Sequence, residues 1–307
     1  MRYLVFDVSN ILHKTFYAHN TEDDITIGGI AAHSALLTIN KYFNLYKPDK
    51  IIMAFDRHSW RKDYTASDEC ISGLPYKGGR RKNQTPKQEK KYKEFLKHVD
   101  EFENLIDAHT SIINMAADRL EADDIISGVV QTLTLEEENE VIIVSADKDF
   151  MQLLRYDNVY LIDPATGDER NLSEYNNDAD YFMFIKCFRG EGAGGDNVQS
   201  AYPRVRIKKL EEAWNDDFAR QNIMKHEWEH PTSKKSFKVG DLHEENKILM
   251  CLESQPQDIE KLIFDTVVIG LERKKKFDFI EFLKFCGKYD LKKVQEGSDH
   301  YIKMLSL

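Results

Sequence analysis

Leu120-Glu121-Ala122-Asp123-Asp124-Ile125-Ile126 and, a short distance on, Val141-Ile142-Ile143-Val144-Ser145-Ala146-Asp147-Lys148-Asp149-Phe150 decide how this chain is read. Both put carboxylates in apolar surroundings, where carboxylates are normally avoided. Residues 115–133 carry apolar side chains at helical spacing (Leu120, Ile125, Ile126, Val129, Val130, Leu133), which predicts a helix. On such a helix Glu121 and Asp124 share a face, and Asp123 sits about 60–100° to the side. Residues 141–144 are all apolar and β-branched, as expected of a parallel strand buried on both faces. Asp147 and Asp149 follow at its carboxyl end. Five acids this close repel one another: two carboxylates about 4 Å apart cost roughly 4 kcal/mol at an effective dielectric of ~20. Such a group persists when it is solvated, protonated or metal-bound. Either motif alone reads equally well as a solvated helix face or an ordinary loop. Together they ask for a divalent metal.

Working outward, residues 2–6 are a short apolar strand ending at Asp7, and residues 51–55 are another ending at Asp56. Three predicted parallel strands therefore finish in an acid, and in open α/β sheets the ligand crevice lies beyond the carboxyl ends of the strands. Residues 30–46 between the first two read as a helix that Pro48 breaks. A fourth strand is expected at 159–163 and a helix at 181–188. Strand-end aspartates also serve phosphatases of the haloacid-dehalogenase type. Those need Asp-x-Asp at the first strand, however, and this chain has Asp7-Val8-Ser9.

Residues 57–100 form a long excursion, kept irregular at first by Gly73, Pro75, Gly78 and Gly79 and helical from Pro86 onward. Residues 77–97 hold nine basic side chains against Glu89 and Glu94. Tyr92 and Phe95 give the helix its apolar contacts. Two readings stand side by side: a solvated lysine-rich helix, or a basic strap that tracks a phosphate backbone. The glycine-rich loop at 190–197 lacks the Lys-Ser/Thr of a P-loop. Arg204, Arg206, Lys208 and Lys209 make a second basic patch, and residues 244–307 read as a helical tail.

The net charge of −10 on 307 residues disfavours a nucleic-acid ligand on its face, but the basic residues are clustered, and the distribution outweighs the sum. No apolar run approaches the ~20 residues of a membrane span. Met1-Arg2 leads straight into strand-like sequence, leaving no room for a signal peptide. Cys70, Cys187, Cys251 and Cys286 form no CxxC pair, which argues against a zinc site and suits a reducing cytoplasm.

Taken in order, these motifs resemble the 5′-nuclease (flap endonuclease) superfamily, most closely its branch of T-even-type bacteriophage ribonucleases H. Phe6-Asp7-Val8-Ser9-Asn10 resembles the first strand and its aspartate, with Lys14 following. The segment from Ala54 through Asp56 and Arg61 to Tyr64 resembles the second strand end and its arginine. Pro75-Tyr76-Lys77-Gly78-Gly79-Arg80 resembles the entrance of the family's arch. The two acidic stretches match the central metal motifs, and Gly194-Gly195-Asp196-Asn197-Val198-Gln199-Ser200 resembles the last metal loop. That loop departs from the usual Gly-Asp-x-x-Asp-Asn: Glu191 follows Gly190, and two extra residues precede Asp196. Asp196 matches, while Glu191 is left without an assigned role. The glycines of the family's helix-three-turn-helix hairpin are missing from residues 200–210.

The resemblance implies an α/β fold with a mostly parallel central sheet flanked by helices. It implies a nuclease core over 1–185 with a basic arch at about 57–100. Residues 186–307 would be a helical DNA-binding region with a degenerate helix-three-turn-helix, completing the metal site through Asp196. It implies two Mg2+ ions, with Mn2+ able to substitute. Asp7, Asp56, Asp123 and Asp147 surround the inner ion; Asp124, Asp149 and Asp196 serve the second; Glu121 is shared or one shell out. Lys77 and Arg80 are the implied catalytic cations. Lys14, Arg61, Arg81, Lys82, Lys87, Arg204, Arg206, Lys208 and Lys209 are the implied nucleic-acid contacts. The implied activity is 5′-3′ exonuclease, flap endonuclease and ribonuclease H cleavage of DNA and RNA–DNA hybrids, removing primers in phage replication. A monomer in the (host) cytoplasm is expected, with contacts to a single-strand-binding protein and a sliding clamp, residues 302–307 being the candidate clamp peptide. A structure-specific DNA-binding protein with an impaired nuclease centre is the alternative.

Overall fold

Parallel pairing of short apolar runs builds the centre of the molecule. The structure is a computed structural model and describes residues 1–19, 23–80 and 84–307, so Arg81 and Lys82 lie outside the described residues. β1 (Arg2–Asp7) leads through α1 (Val8–Ala18) and α2 (Asp24–Tyr46) to β2 (Lys50–Ala54). α3 (Trp60–Ala66) and α4 (Pro86–His109) separate β2 from β3 (Ile113–Met115), and α5 (Ala122–Leu133) separates β3 from β4 (Glu140–Val144). A 3₁₀ helix over Lys148–Arg155 precedes β5 (Val159–Ile162), and β6 (Glu169–Arg170) returns antiparallel to it. The strand order is β3-β2-β1-β4-β5-β6, parallel from β3 through β5. This is the expected class: an α/β fold with a mostly parallel sheet flanked by helices.

The all-apolar strands are explained by two covered faces. Val5, Ile52, Val141 and Ile143 enter one core with α5, while their neighbours Leu4, Phe6, Ile51, Met53 and Ile142 enter the other with α1, α2 and α4. Helices beyond the sheet complete both cores. α6 (Ala179–Arg189) is followed by α7 (Ile207–Asn215), α8 (Asp217–Met224) and a hairpin of β7 (Glu227–Glu229) and β8 (Ser236–Lys238). Then come α9 (Val239–Met250), α10 (Gln257–Glu272), α11 (Phe279–Lys288), α12 (Lys292–Glu296) and α13 (Ser298–Leu305). α10 lays Ile259, Ile263 and Val267 on the α5 face, and α11 and α13 lay Phe282, Cys286, Met304 and Leu305 on the other. α10 comes this close because Gly128 of α5 has no Cβ; one there would collide with Ile263. The tail is further tied in where the Ser111 N–H donates to the Leu305 carbonyl at 2.7 Å.

Three sequence expectations are corrected. The helix expected over 115–133 begins only at Ala122, because residues 113–115 pair with β2 as a strand and the Asp124 carboxylate turns back to accept the Glu121 N–H. The segment after Asp56 is not irregular throughout: Ser59 caps α3, accepting the Arg61 N–H at 3.3 Å. The candidate clamp peptide at 302–307 cannot serve as one in this state, since Met304 and Leu305 are fully buried. No helix among the described residues is long and apolar enough to cross a membrane.

Candidate active site

The strand order reverses between β1 and β4, and ligands of open α/β sheets bind beyond the carboxyl ends at such a switch point. The register brings the acids there. Asp7 ends β1 opposite Ala54, Asp56 lies just past β2, and Asp147 and Asp149 lie just past β4. α5 starts at the same edge and contributes Asp123 in its first turn, where a negative charge faces the positive end of the helix. Asp56 is exposed, and its Oδ1 accepts the Ala122 N–H at 2.9 Å, tying β2 to α5.

Asp7 is 4% exposed and accepts from the Asn10 N–H at 3.0 Å and the Ser145 hydroxyl at 3.2 Å. Burial, then the Asp56 carboxylate, push its carboxyl up to about 7. Burial, then Asp147 and Asp7, hold Asp123 well above the ordinary aspartate range. Mutually raised proton affinities mean more negative charge than the surrounding protein compensates.

A second acid group adjoins the first. Asp149, Glu191 and Asp196 each offer an oxygen within 4.8 Å of the others, a spacing that could hold a metal ion. Glu191, given no role by its sequence motif, thus joins two of the expected ligands. It turns inward because Gly195 leaves room; a Cβ there would strike its carboxylate.

Cations face these acids. The Lys77 ammonium lies 2.5 Å from Glu121 Oε1 and 3.7 Å from Asp196 Oδ1, and Arg80 donates to Asp196 Oδ1 at 2.8 Å. Burial alone would raise the Glu121 carboxyl, but Lys77 and then Arg61 hold it down at about 2. The segments carrying these cations are braced to the loop at 190–197. The Lys77 N–H donates to the Asp196 carbonyl at 2.8 Å, Asn197 Nδ2 donates to the Pro75 carbonyl at 2.9 Å, and the Tyr76 hydroxyl meets Asp196 Oδ2 at 3.1 Å. Lys77 has φ 55°, a left-handed conformation that this cross-bracing holds.

Two expected site residues point elsewhere. Arg61, expected at nucleic acid, is 2% exposed and has no face left for a phosphate. It donates to Asp124 at 2.8 and 2.9 Å, to Glu121 at 3.3 Å and to the Leu249 carbonyl at 2.7 Å. Asp124, expected at the second ion, is fully buried with both oxygens on Arg61. The charge of one satisfies the other, so each is spent inside the protein. Lys14, Lys87, Arg204, Arg206, Lys208 and Lys209 are exposed.

Two residues at this edge were missed by sequence reasoning. Tyr76 sits beside Lys77 in a motif quoted only for its cations. Lys186 of α6 contacts Asp149 and lies 3.9 Å from Glu191 Oε2. Its signal was available: it is the single charge in Tyr181-Phe182-Met183-Phe184-Ile185-Lys186-Cys187-Phe188.

A parallel sheet with carboxylates gathered at its switch point, faced by a lysine and an arginine, defines the class of phosphoryl-chemistry enzymes. More particularly, the chain belongs to the 5′-3′ exonuclease family, whose N-terminal, resolvase-like domain matches residues 2–181. Among solved structures it is similar to the T5 D15 protein co-crystallised with metal ions, at 16% identity and a TM-score of 0.65, over 89% of this chain and 100% of that one. It is similar to the bacteriophage T5 D15 flap endonuclease in a pseudo-enzyme–product complex with DNA and metal ions, at 18% and 0.64 over the same shares. It is also similar to the T5 5′-exonuclease with zinc bound, at 16% and 0.62, again over 89% and 100%. At these identities the likeness is one of fold. No curated protein sequence matches the chain significantly.

Proposed function

We propose that this 5′-3′ nuclease is divalent-metal-dependent and hydrolyses phosphodiesters at the 5′ ends of RNA–DNA hybrids and duplex DNA and at 5′ flaps, removing primers during phage DNA replication. The observation that carries the reading is the set of carboxylates at the switch point with Lys77 and Arg80 across from it. Family membership supports it, as does the fold's likeness to a bacteriophage T5 enzyme bound to DNA and metal ions.

The residues fit Mg2+ or Mn2+. The donors are carboxylate oxygens with no histidine or cysteine among them, as hard cations require. The raised carboxyls of Asp7 and Asp123 mark charge in need of a cation. Asp7, Asp56, Asp123 and Asp147 would hold one ion, and Asp149, Asp196 and Glu191 the other. A pair of ions supplies an activated water, charge relief on the phosphoryl oxygens and stabilisation of the leaving oxygen.

The chain's own side chains do the rest. The Lys77 side chain is 19% exposed and that of Arg80 46%, so each keeps a donor direction open beyond its acid partner. They orient the attacked phosphate and oppose charge as it develops there. Tyr76 and the Asn197 contact to Pro75 hold both cations against the acid-bearing loop. Lys14 and Lys87 are exposed and would track a single strand, and the exposed Arg204, Arg206, Lys208 and Lys209 would meet duplex phosphates.

The test is a 5′-labelled flap on a nicked duplex and an RNA–DNA hybrid, each with Mg2+ and with EDTA. Short 5′ products appearing only with metal are expected. Binding without cleavage in either Mg2+ or Mn2+ would overturn the enzyme reading and leave a DNA-binding protein.

A further inference from the structure

Lys186 is a charge held where its surroundings would exclude one. α6 is gripped from two sides: Phe182, Met183 and Cys187 enter the sheet core, and Tyr181, Phe184, Ile185 and Phe188 enter the core of the C-terminal helices. The backbone at 186 is therefore fixed. From it the lysine side chain, 15% exposed, reaches the Asp149 carboxylate and lies 3.9 Å from Glu191. Those two acids and Asp196 are the three whose oxygens lie within 4.8 Å of one another. The ammonium thus stands inside the group that could take the second ion.

A divalent ion binding carboxylate oxygens at ~2.0–2.6 Å would lie within a few ångströms of that ammonium. At such a distance two positive charges repel strongly even when partly solvated. We propose that Lys186 is the resident counter-cation of the Asp149–Glu191–Asp196 group and sets its ion affinity: an ion binds there only as the lysine withdraws. Withdrawal needs no backbone motion. Four rotatable side-chain bonds and a cleft of about 530 Å³, lined by Asp147, Asp149 and Glu191 and extending to Asn10 and Tyr175, give the ammonium room to shift off the acid pair. Asp149 and Glu191 thereby stay compensated in both states, one by the lysine and the other by the ion. The site then has a built-in asymmetry: the outer ion is weaker than the inner one because it must displace a competitor.

This inference rests on the metal-dependent reading above. Mn2+ binding to the full chain, without nucleic acid, distinguishes the two when free Mn2+ is followed by its EPR signal. The wild type is expected to bind two classes of ion of unequal affinity. In Lys186→Met the weaker class should tighten by at least about ten-fold, and in Lys186→Arg it should stay weak. In parallel, Mn2+ should raise the melting temperature of Lys186→Met more than that of the wild type. Lys186→Gln replaces the methionine variant if the latter does not fold. A weaker class that is unchanged or lost without the lysine would overturn the counter-cation role while leaving metal binding intact. No Mn2+ binding in any variant would overturn both.

Discussion

At Lys77 the main chain and the side chain are fixed by different partners, and this separates its chemistry from its structural role. The N–H is held by the Asp196 carbonyl and the ammonium by Glu121. A non-glycine residue at φ 55° costs on the order of 1–2 kcal/mol, which the hydrogen bond from its N–H to the Asp196 carbonyl helps offset. Lys77→Met keeps the backbone contacts and removes the charge. Turnover on a 5′ flap should fall by about 10²–10³-fold, with a melting temperature lowered only slightly, because Arg61 and Ser59 still hold Glu121. A loss of stability proportionate to the loss of turnover would make Lys77 structural. The sequence displayed Lys77 and Arg80 openly, since both stand in a short glycine-flanked motif. Lys186 stayed hidden because a lysine in an apolar helix reads as a surface charge until the second core on α6 is seen.

The element that decides the site's shape is the start of α5. Four acids crowd this terminus, and the structure divides them between two uses. Asp123 and Asp56 face the edge, while Asp124 turns inward to Arg61 of α3 and anchors one helix to the other. Their types and order were legible in Glu121-Ala122-Asp123-Asp124. Their division was not, because it depends on the helix beginning at Ala122 rather than at residue 115, where the chain is still in β3. The fold class was legible for the opposite reason: wholly apolar β-branched strands leave few options other than a sheet covered on both faces. Arg61→Gln should lower the unfolding free energy by about 3–5 kcal/mol, as breaking a buried ion pair does. The salt dependence of DNA binding by the folded variant should not change. Unaltered stability with a shallower salt dependence would restore Arg61 to the nucleic-acid surface.

For the molecule as a whole, the acid edge works against the fold when no cation compensates it. The folded Asp7 carboxyl titrates near 7, against 3.8 for an ordinary aspartate, so the folded state binds this proton the more tightly. Stability from this group is complete below about pH 4 and is lost as pH rises through 7. In EDTA the melting temperature should fall between pH 5.5 and pH 8, and Asp7→Asn should flatten that slope. Parallel slopes for the two proteins would show that Asp7 does not govern it. The opposite end of the chain has a bearing of its own. α11 and α13 supply Phe282, Cys286, Met304 and Leu305 to one side of a sheet whose first strand starts at Arg2. During synthesis β1, α1, α2 and α4 emerge before α11 and α13, which pack on α4 and α2. The apolar sides of α2 and α4 that these later helices cover must wait for them, and in that interval chaperones and aggregation compete for the exposed surface.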